Sequence, residues 1–482
     1  MSFKPLWIAI GIVLFAAMQF IPAPGGLTRE AWTVAGMGLL MLVWWVTEAV
    51  PIPVTSLLPL IILPVFGVLG FGEAAPPYAS PIVLLLLGGF IIAKSVETWG
   101  LHARVALGVV ARAGGSPAAM VGGFMLASAI LSMWISNTAT AIMLTPIALS
   151  VAQRLHGEGG WKTAPVTIAL LLGVAYGCSI GGVGTPIGTP TNLIILGYLE
   201  NEFGRGIGFA EWMAYGVPMV AILLPLAWLV LTRLSMRVES HAAAPAQDVI
   251  ADERHRLGPV TTPEKRVALA FAAIALAWIF RRPLTEMEIG GAMPLAGVTD
   301  HLIAIAGAVL FFLIPSGCPE KPRRALLTWP EAERIPWGVL LLFGGGLSLA
   351  AAITATGLGD WMGAGLAVLN MLPLVLLIGA LVGFVIFWTE ITSNVATASA
   401  LMPVIGAVAL AGGDDPLYLA LPVAVAASCA FMLPMATGPN AIAYASGAIT
   451  IPRMARTGLV LNLLCIIAIS LISAWLLPLL LG

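Results

Sequence analysis

The sequence predicts an all-α polytopic membrane protein, and three observations carry that expectation. Of 482 residues, 60% are hydrophobic and only 9% are charged, whereas soluble domains carry about 25% charged residues. Mean hydropathy is +1.01, which leaves too little polar surface to cover a water-soluble fold. Apolar runs recur along the whole chain, and a helix needs roughly 20 such residues to cross a bilayer, so about ten or eleven crossings fit. The formal net charge of -1 offers no basic footprint for nucleic acid. Cys178, Cys318, Cys429 and Cys465 stand far apart and form neither a disulfide framework nor a metal motif. His102, His156, His241, His255 and His301 are scattered in or near polar loops without a metal-ligand spacing.

The first apolar run, 6–23, follows a lone lysine and lacks a small-residue cleavage site. It reads as a retained membrane helix, the alternative being a signal peptide. Runs at 32–49, 53–71 and 81–97 follow. Gly100–Gly114 alternates apolar and basic residues at helical spacing, as an amphipathic interfacial helix would; the alternative is an ordinary loop. Further runs occupy 117–133, 138–153, 165–180, 193–200, 214–234, 265–280 and 300–315, then 336–354, 371–388, 395–411, 417–434, 441–449 and 457–480. Several are too short to span, or are broken by Gly, Pro and Asn. Irregular backbone at membrane depth is tolerated only inside protein or along a cavity, so the breaks point to a site.

Arginine and lysine in the loops orient the chain. Leu234–Lys265 holds Arg237, Arg254, Arg256 and Lys265. The loop 316–335 holds Lys321, Arg323, Arg324 and Arg334, and a short one holds Arg453 and Arg456. All three are expected on the cytoplasmic side. Arg281 and Arg282 conflict mildly with this, because their loop should be external. Four ionisable residues fall within apolar segments: Glu48, Lys94, Glu97 and Glu390. Glu48 precedes Pro51 and reads as a helix end, and Lys94 and Glu97 are spaced to pair. Glu390 lies three residues before Ser393 and either braces that motif or touches a ligand.

The pattern is duplicated. LLLLGGFIIAKSVETWG at 84–100 matches LLLFGGGLSLAAAITATG at 340–357. Ser136-Asn137-Thr138-Ala139-Thr140 matches Ser393-Asn394-Val395-Ala396-Thr397, and GTPIGTPTN at 184–192 matches MATGPN at 435–440. Two copies of a broken-helix pattern in one order are the mark of a secondary transporter built from repeats. Each Ser-Asn pair sits between two apolar runs of about 16 residues, too short to span comfortably and suited to a re-entrant hairpin with the pair at its tip. A helix end leaves carbonyls unpaired and a helix start leaves N–H groups unpaired. Carbonyls with Ser and Asn oxygens suit a hard monovalent cation. N–H groups with amide and hydroxyl donors suit an anion. Helix capping without a ligand is the alternative for one copy, and a ligand-free proline kink is the alternative for the second pair of breaks. No Arg or Lys lies at any of the four breaks, so an anion there would have its charge balanced by cations and helix termini.

These segments resemble the divalent anion/sodium symporters, which include sodium-coupled dicarboxylate and citrate transporters. The resemblance runs over nearly the whole chain, through WWVTEAVPIPVTSLLP at 44–59, SMWISNTATAIMLTPI at 132–147, GGVGTPIGTPTN at 181–192, TEITSNVATA at 389–398 and MLPMATGPNAI at 432–442. It implies about eleven transmembrane helices plus two re-entrant hairpins, inverted repeats, and a homodimer in which a transport domain moves as an elevator against a scaffold. Residues 1–80 and 213–335 would be mainly scaffold. Residues 81–212 would hold the first transport repeat, with hairpin 117–153 and broken helix 165–200. Residues 336–453 would hold the second, with hairpin 371–411 and broken helix 417–449, and 454–482 the final helix. Carried over by motif, one sodium (Na+) site would use Ser132, Ser136, Asn137 and Gly188, and the other Thr389, Ser393, Asn394 and Ala436. Substrate carboxylates would meet Asn137, Thr138 and Thr189 in one half and Ser393, Asn394 and Thr437 in the other. Val395 departs from the threonine that many bacterial members carry, and valine cannot donate a hydrogen bond.

The expectation is a bacterial inner-membrane symporter, not an enzyme, that carries C4-dicarboxylates such as succinate, malate or fumarate with sodium. The rivals are a sodium-independent dicarboxylate exchanger of the same fold and a citrate or sulfate transporter. A passive channel would need a continuous pore. A membrane enzyme would need a catalytic cluster, and the apolar segments offer none.

Overall fold

A computed structural model describes residues 4–238, 244–288, 292–320, 323–366, 372–413 and 415–481. Lys321, His241 and residue 371, where the second hairpin was expected to start, lie outside that set. Among the described residues the fold is helical, with one isolated bridge between Pro315 and Ala325. Seven helices of the described residues are long and apolar enough to cross a membrane.

Helices α1 (Lys4–Phe20) and α2 (Arg29–Thr47) pack on each other. Thr28 caps α2, its hydroxyl accepting the Ala31 N–H at 3.1 Å. Glu48 ends it in the left-handed region with φ 45°, the helix-end role its proline neighbourhood implied. The apolar run 53–71 does not form one helix. Its prolines split it into Ile52–Thr55 and Pro59–Val65, because each proline removes a donor and clashes with the preceding turn. At the junction, Ser56 accepts Trp45 Nε1 at 3.2 Å on its hydroxyl and Tyr78 Oη at 2.5 Å on its carbonyl.

Seven helices then form a series: α3 (Pro81–Thr98), α4 (Leu101–Val110), α5 (Pro117–Ser132), α6 (Asn137–Gly160), α7 (Pro165–Gly181), α8 (Pro190–Phe203) and α9 (Phe209–Leu229). Among the described residues three longer helices intervene: α10 (Ala244–Arg256), α11 (Thr262–Ile279) and α12 (Asp300–Leu313). The series then recurs as α13 (Trp337–Ala355), α14 (Leu358–Leu366), α15 (Leu374–Thr389), α16 (Asn394–Gly412), α17 (Leu417–Ala427), α18 (Gly438–Ala445) and α19 (Ile451–Leu481). The duplication thus reaches beyond the matched motifs to whole helices. The second arm of the first hairpin, α6, extends to Gly160, past the expected end at 153.

The amphipathic stretch after Gly100 is helix α4. It buries Ala106, Leu107 and Val110 and holds Arg104 against Glu264 at 2.9 Å. Lys94 and Glu97 pair at 3.1 Å. Arg281 and Arg282, the mild exception to the charge rule, are neutralised: Arg281 Nε meets Asp300 at 2.8 Å and Arg282 bonds Glu211. The four cysteines are free, and Cys178, Cys429 and Cys465 are buried.

The repeats cross over. Helix α8 packs on α16 and α18 packs on α6, so each broken helix touches the hairpin of the other repeat. The most extensive helix–helix contact among the described residues lies within the first repeat, where α5 runs beside α7. A Cβ on Gly181 would stand 2.3 Å from Ala129 Cα and 2.4 Å from its carbonyl oxygen. Small residues allow such backbone approach, the chief source of helix association in lipid. Gly181→Ala is expected to push the two helices apart at a cost of about 1–3 kcal/mol. A lower melting temperature of the purified protein in detergent checks this; an unchanged one would show that the two helices separate freely.

Candidate functional site

Helix α5 ends at Ser132 and α6 begins at Asn137; α15 ends at Thr389 and α16 begins at Asn394. At each tip the residue closing the first arm donates its hydroxyl to the asparagine opening the second. Ser132 Oγ bonds Asn137 Oδ1, and Thr389 Oγ1 bonds Asn394 Oδ1 at 2.8 Å while lying 3.3 Å from the Ala427 carbonyl oxygen. Both asparagine Nδ2 groups donate to nothing among the described residues. Ser136 and Ser393 are the N-caps of the second arms, and Ser136 Oγ accepts the Ala139 N–H at 3.5 Å.

The broken helices repeat this economy. Helix α7 runs into one 3₁₀ turn, Gly182–Gly184, before α8 restarts at Pro190 behind Thr189. Helix α17 stops at Ala427 and α18 restarts at Gly438 behind Thr437, whose hydroxyl accepts the Asn440 N–H at 3.2 Å. Prolines 190 and 439 fall in the first turn, where the missing donor costs nothing. Asn192 and Asn440 were visible as motif residues without an assigned role. They are fully buried and staple the breaks. Asn192 Nδ2 donates to the Gly182 and Thr185 carbonyls at 3.0 and 2.8 Å, and Asn440 Nδ2 to Ala430 and Leu433 at 3.0 and 3.1 Å.

Glu390 braces a different element from the one expected. Its Oε1 accepts the N–H groups of Phe431 and Met432 at 2.6 and 2.9 Å and Asn462 Nδ2 at 2.8 Å, and its Oε2 accepts Leu433 N–H at 3.1 Å. It therefore holds the unwound segment before α18, not the hairpin tip. Met133 stands at the matching place in the first repeat. There its carbonyl accepts the Thr185 hydroxyl and its side chain lies over Gly184.

Oxygens crowd the first break. A Cβ on Gly188 would stand 2.5 Å from the Gly182 carbonyl oxygen and 3.0 Å from that of Ser132; one on Gly182 would stand 2.9 Å from Asn137 Oδ1 and 3.2 Å from the Gly188 carbonyl oxygen. Only glycine leaves this cradle open. A hard monovalent cation fits such a set of neutral oxygens. In the second repeat, Asn394 Oδ1 again accepts from the residue that closes the first arm, and the Thr389 hydroxyl also lies 3.3 Å from the Ala427 carbonyl oxygen.

Between the tips lies a cavity of about 340 Å³. Asn137, Thr138, Thr189, Ser393, Asn394 and Thr437 all line it, as do Ser136, Gly188 and Ala436; Ser132 and Thr389 are buried behind the tips. Val395 also faces it, as do Phe90 and Trp134, which the quoted motifs contain without an assigned role, and Pro336. Among the described residues no lysine, arginine, aspartate or glutamate lines it. Four helix N-termini open onto it, those of α6, α8, α16 and α18. A larger hollow of about 460 Å³ beside Arg104 and Arg254 lies away from all four breaks, and Arg104 there is already bonded to Glu264 and to the carbonyls of Leu257, Gly258 and Pro259.

The family described as the sodium:sulfate symporter transmembrane region matches residues 4–481. A sodium-dependent dicarboxylate transporter, SdcS, of Staphylococcus saprophyticus is 39% identical over 480 residues, covering 98% of this chain and 92% of that protein. The protein of the same name from Staphylococcus aureus strain bovine RF122 is 39% identical over 481 residues, covering 98% and 91%. Among solved structures, the YdaH transporter of Alcanivorax borkumensis superposes with a TM-score of 0.60 at 16% identity, covering 98% of each chain. MtrF of Neisseria gonorrhoeae gives 0.58 at 15%, covering 98% and 94%; at these identities the likeness concerns the fold alone. The chain belongs to the sodium:sulfate symporter family, the divalent anion/sodium symporters its motifs resemble, and is a polytopic membrane transporter, not an enzyme.

Proposed function

We propose that this protein couples sodium movement to the transport of C4-dicarboxylates such as succinate, malate or fumarate across a bacterial inner membrane. The observation that carries this is the meeting of four helix N-termini at one cavity without a basic side chain. Helix starts and free amides favour an anion. Helix ends behind them supply carbonyls that favour cations. The volume of about 340 Å³ falls in the range of small-ligand pockets, about 300–1,000 Å³. The relatives named for sodium-dependent dicarboxylate transport support the choice of ion and of substrate class over sulfate. One sodium would lie with Ser132, Ser136, Asn137 and Gly188, the other with Thr389, Ser393, Asn394 and Ala436. The dicarboxylate would lie between Asn137, Thr138 and Thr189 on one side and Ser393, Asn394 and Thr437 on the other. Hairpins and broken helices would move as a transport domain within a homodimer, against a scaffold from 1–80 and 213–335. Uptake of radiolabelled succinate into proteoliposomes, with and without a sodium gradient, tests the reading; uptake that ignores sodium and requires internal dicarboxylate would favour an exchanger.

Asn137→Ala and Asn394→Ala are each expected to abolish succinate uptake while the protein still inserts. Each side chain offers an oxygen to a cation and an amide to an anion, and alanine offers neither. Near-normal uptake by either purified variant would contradict the paired sites.

Val395→Thr adds a hydroxyl at the cavity wall and is expected to change apparent dicarboxylate affinity by about 1 kcal/mol, the worth of a typical hydrogen bond. Unchanged affinity for succinate, malate and fumarate alike would show that position 395 does not meet the substrate.

Sodium and dicarboxylate are expected to bind cooperatively. Each helix terminus contributes about 0.3–2 kcal/mol, less than the several kcal/mol that desolvating each carboxylate costs. Bound cations offset the difference, and linkage makes each ligand tighten the other by one factor. Calorimetry in detergent should show succinate affinity rising with sodium but not with potassium; equal affinity in the two salts would remove the coupling.

A further inference from the structure

The two staples at the helix breaks have no part in the site as described so far, yet they are the same device built twice. Asn192 occupies the first turn of α8 and Asn440 the first turn of α18. Each reaches back across its break with Nδ2 and holds two carbonyls of the unwound segment, Gly182 and Thr185 in one case, Ala430 and Leu433 in the other. Both side chains are fully buried, and both carry an Oδ1 with no hydrogen-bond partner among the described residues. A buried acceptor without a donor is unfavourable and calls for a ligand or a water. In the first repeat, one stapled carbonyl, Gly182 O, is itself a wall of the oxygen cradle: it faces the place a Gly188 Cβ would fill, beside Ser132 O.

We infer that Asn192 and Asn440 are positioning residues that set cation affinity, Asn192 for the break at 182–188 and Asn440 for the break at 430–436. This rests on the reading of those breaks as sodium sites. Each staple fixes where the carbonyls of a helix end point. Without it, those carbonyls turn toward other donors, and the cation loses ligands although no residue that would touch it has changed. The orphaned Oδ1 atoms fit the same account, because a cation or its water in the break is the partner they lack. The N–H donors and hydroxyls of the cavity are untouched, so dicarboxylate contacts remain once sodium is bound.

The test uses the full-length protein in proteoliposomes, with sodium varied against potassium at constant ionic strength and labelled succinate as the probe. Asn192→Ala and Asn440→Ala are each expected to raise the sodium concentration for half-maximal uptake by about 10–100-fold, the usual effect of removing a partner that orients a metal ligand. Maximal uptake and succinate KM at saturating sodium should stay near the parent values. Asn192→Ser and Asn440→Ser, which keep a hydroxyl donor, should recover part of the loss. Should an alanine variant not fold, the serine variant at the same position decides by the same measurement. An unchanged sodium requirement, or a fall in maximal uptake that saturating sodium does not restore, would overturn the positioning role. A parent protein without sodium dependence would instead overturn the sodium reading beneath it.

Discussion

A helix broken inside a membrane leaves strong donors and acceptors with no water to meet them. This chain interrupts its helices at four points that meet at one cavity, and the rest of the structure follows from satisfying those ends. Part of the debt is met by the protein itself: Asn192 and Asn440 take up carbonyls, Glu390 takes up three N–H groups, and the Ser136 and Thr437 hydroxyls cap helix starts. What is left over is a set of oxygens behind the tips and a set of donors in front of them. Sodium and a dianion would complete both sets together.

The repeats are alike in backbone and unlike in side chains. Thr138 faces the cavity in one half where Val395 does in the other. Met133 packs on Gly184 in the first repeat, while Glu390 collects the N–H groups of Phe431, Met432 and Leu433 in the second. The asymmetry gives the second break a buried carboxylate that the first lacks. The helix ends are therefore matched in geometry but not in electrostatics, and the two halves need not hold their ligands equally.

Charges outside the cavity serve packing. Lys94 and Glu97 answer each other within one helix, and Arg281 and Arg282 are matched by Asp300 and Glu211 from other segments. An ionisable group in an apolar run is a functional candidate by default, yet of Glu48, Lys94, Glu97 and Glu390 none lines the cavity. The arginine pair that looked misplaced by the charge rule is explained once its partners, far off in sequence, are brought alongside.

Composition and periodicity alone determined that the chain is helical and membrane-spanning, because apolar length is a local property. The duplicated Ser-Asn and Pro-Asn motifs located the four breaks, since a break needs particular residues at one point in the chain. Local sequence could not say where side chains from distant segments would meet. Three residues from Ser393, Glu390 is free by sequence to brace either that tip or a ligand; its partners at 431–433 and Asn462 are set only by how α15 and α19 pack. The staples are spread over ten residues, so Asn192 and Asn440 read as ordinary members of a proline break until the chain turned back on itself. Phe90 and Trp134 stand inside the quoted motifs with nothing local to mark their role, and Pro336 in none; packing makes all three cavity wall. The first apolar run after Glu48 was long enough to span but is divided by its prolines, a case where backbone chemistry outweighs hydropathy. The folding of two repeats against each other decided the rest, because only that crossing brings all four helix starts to one cavity.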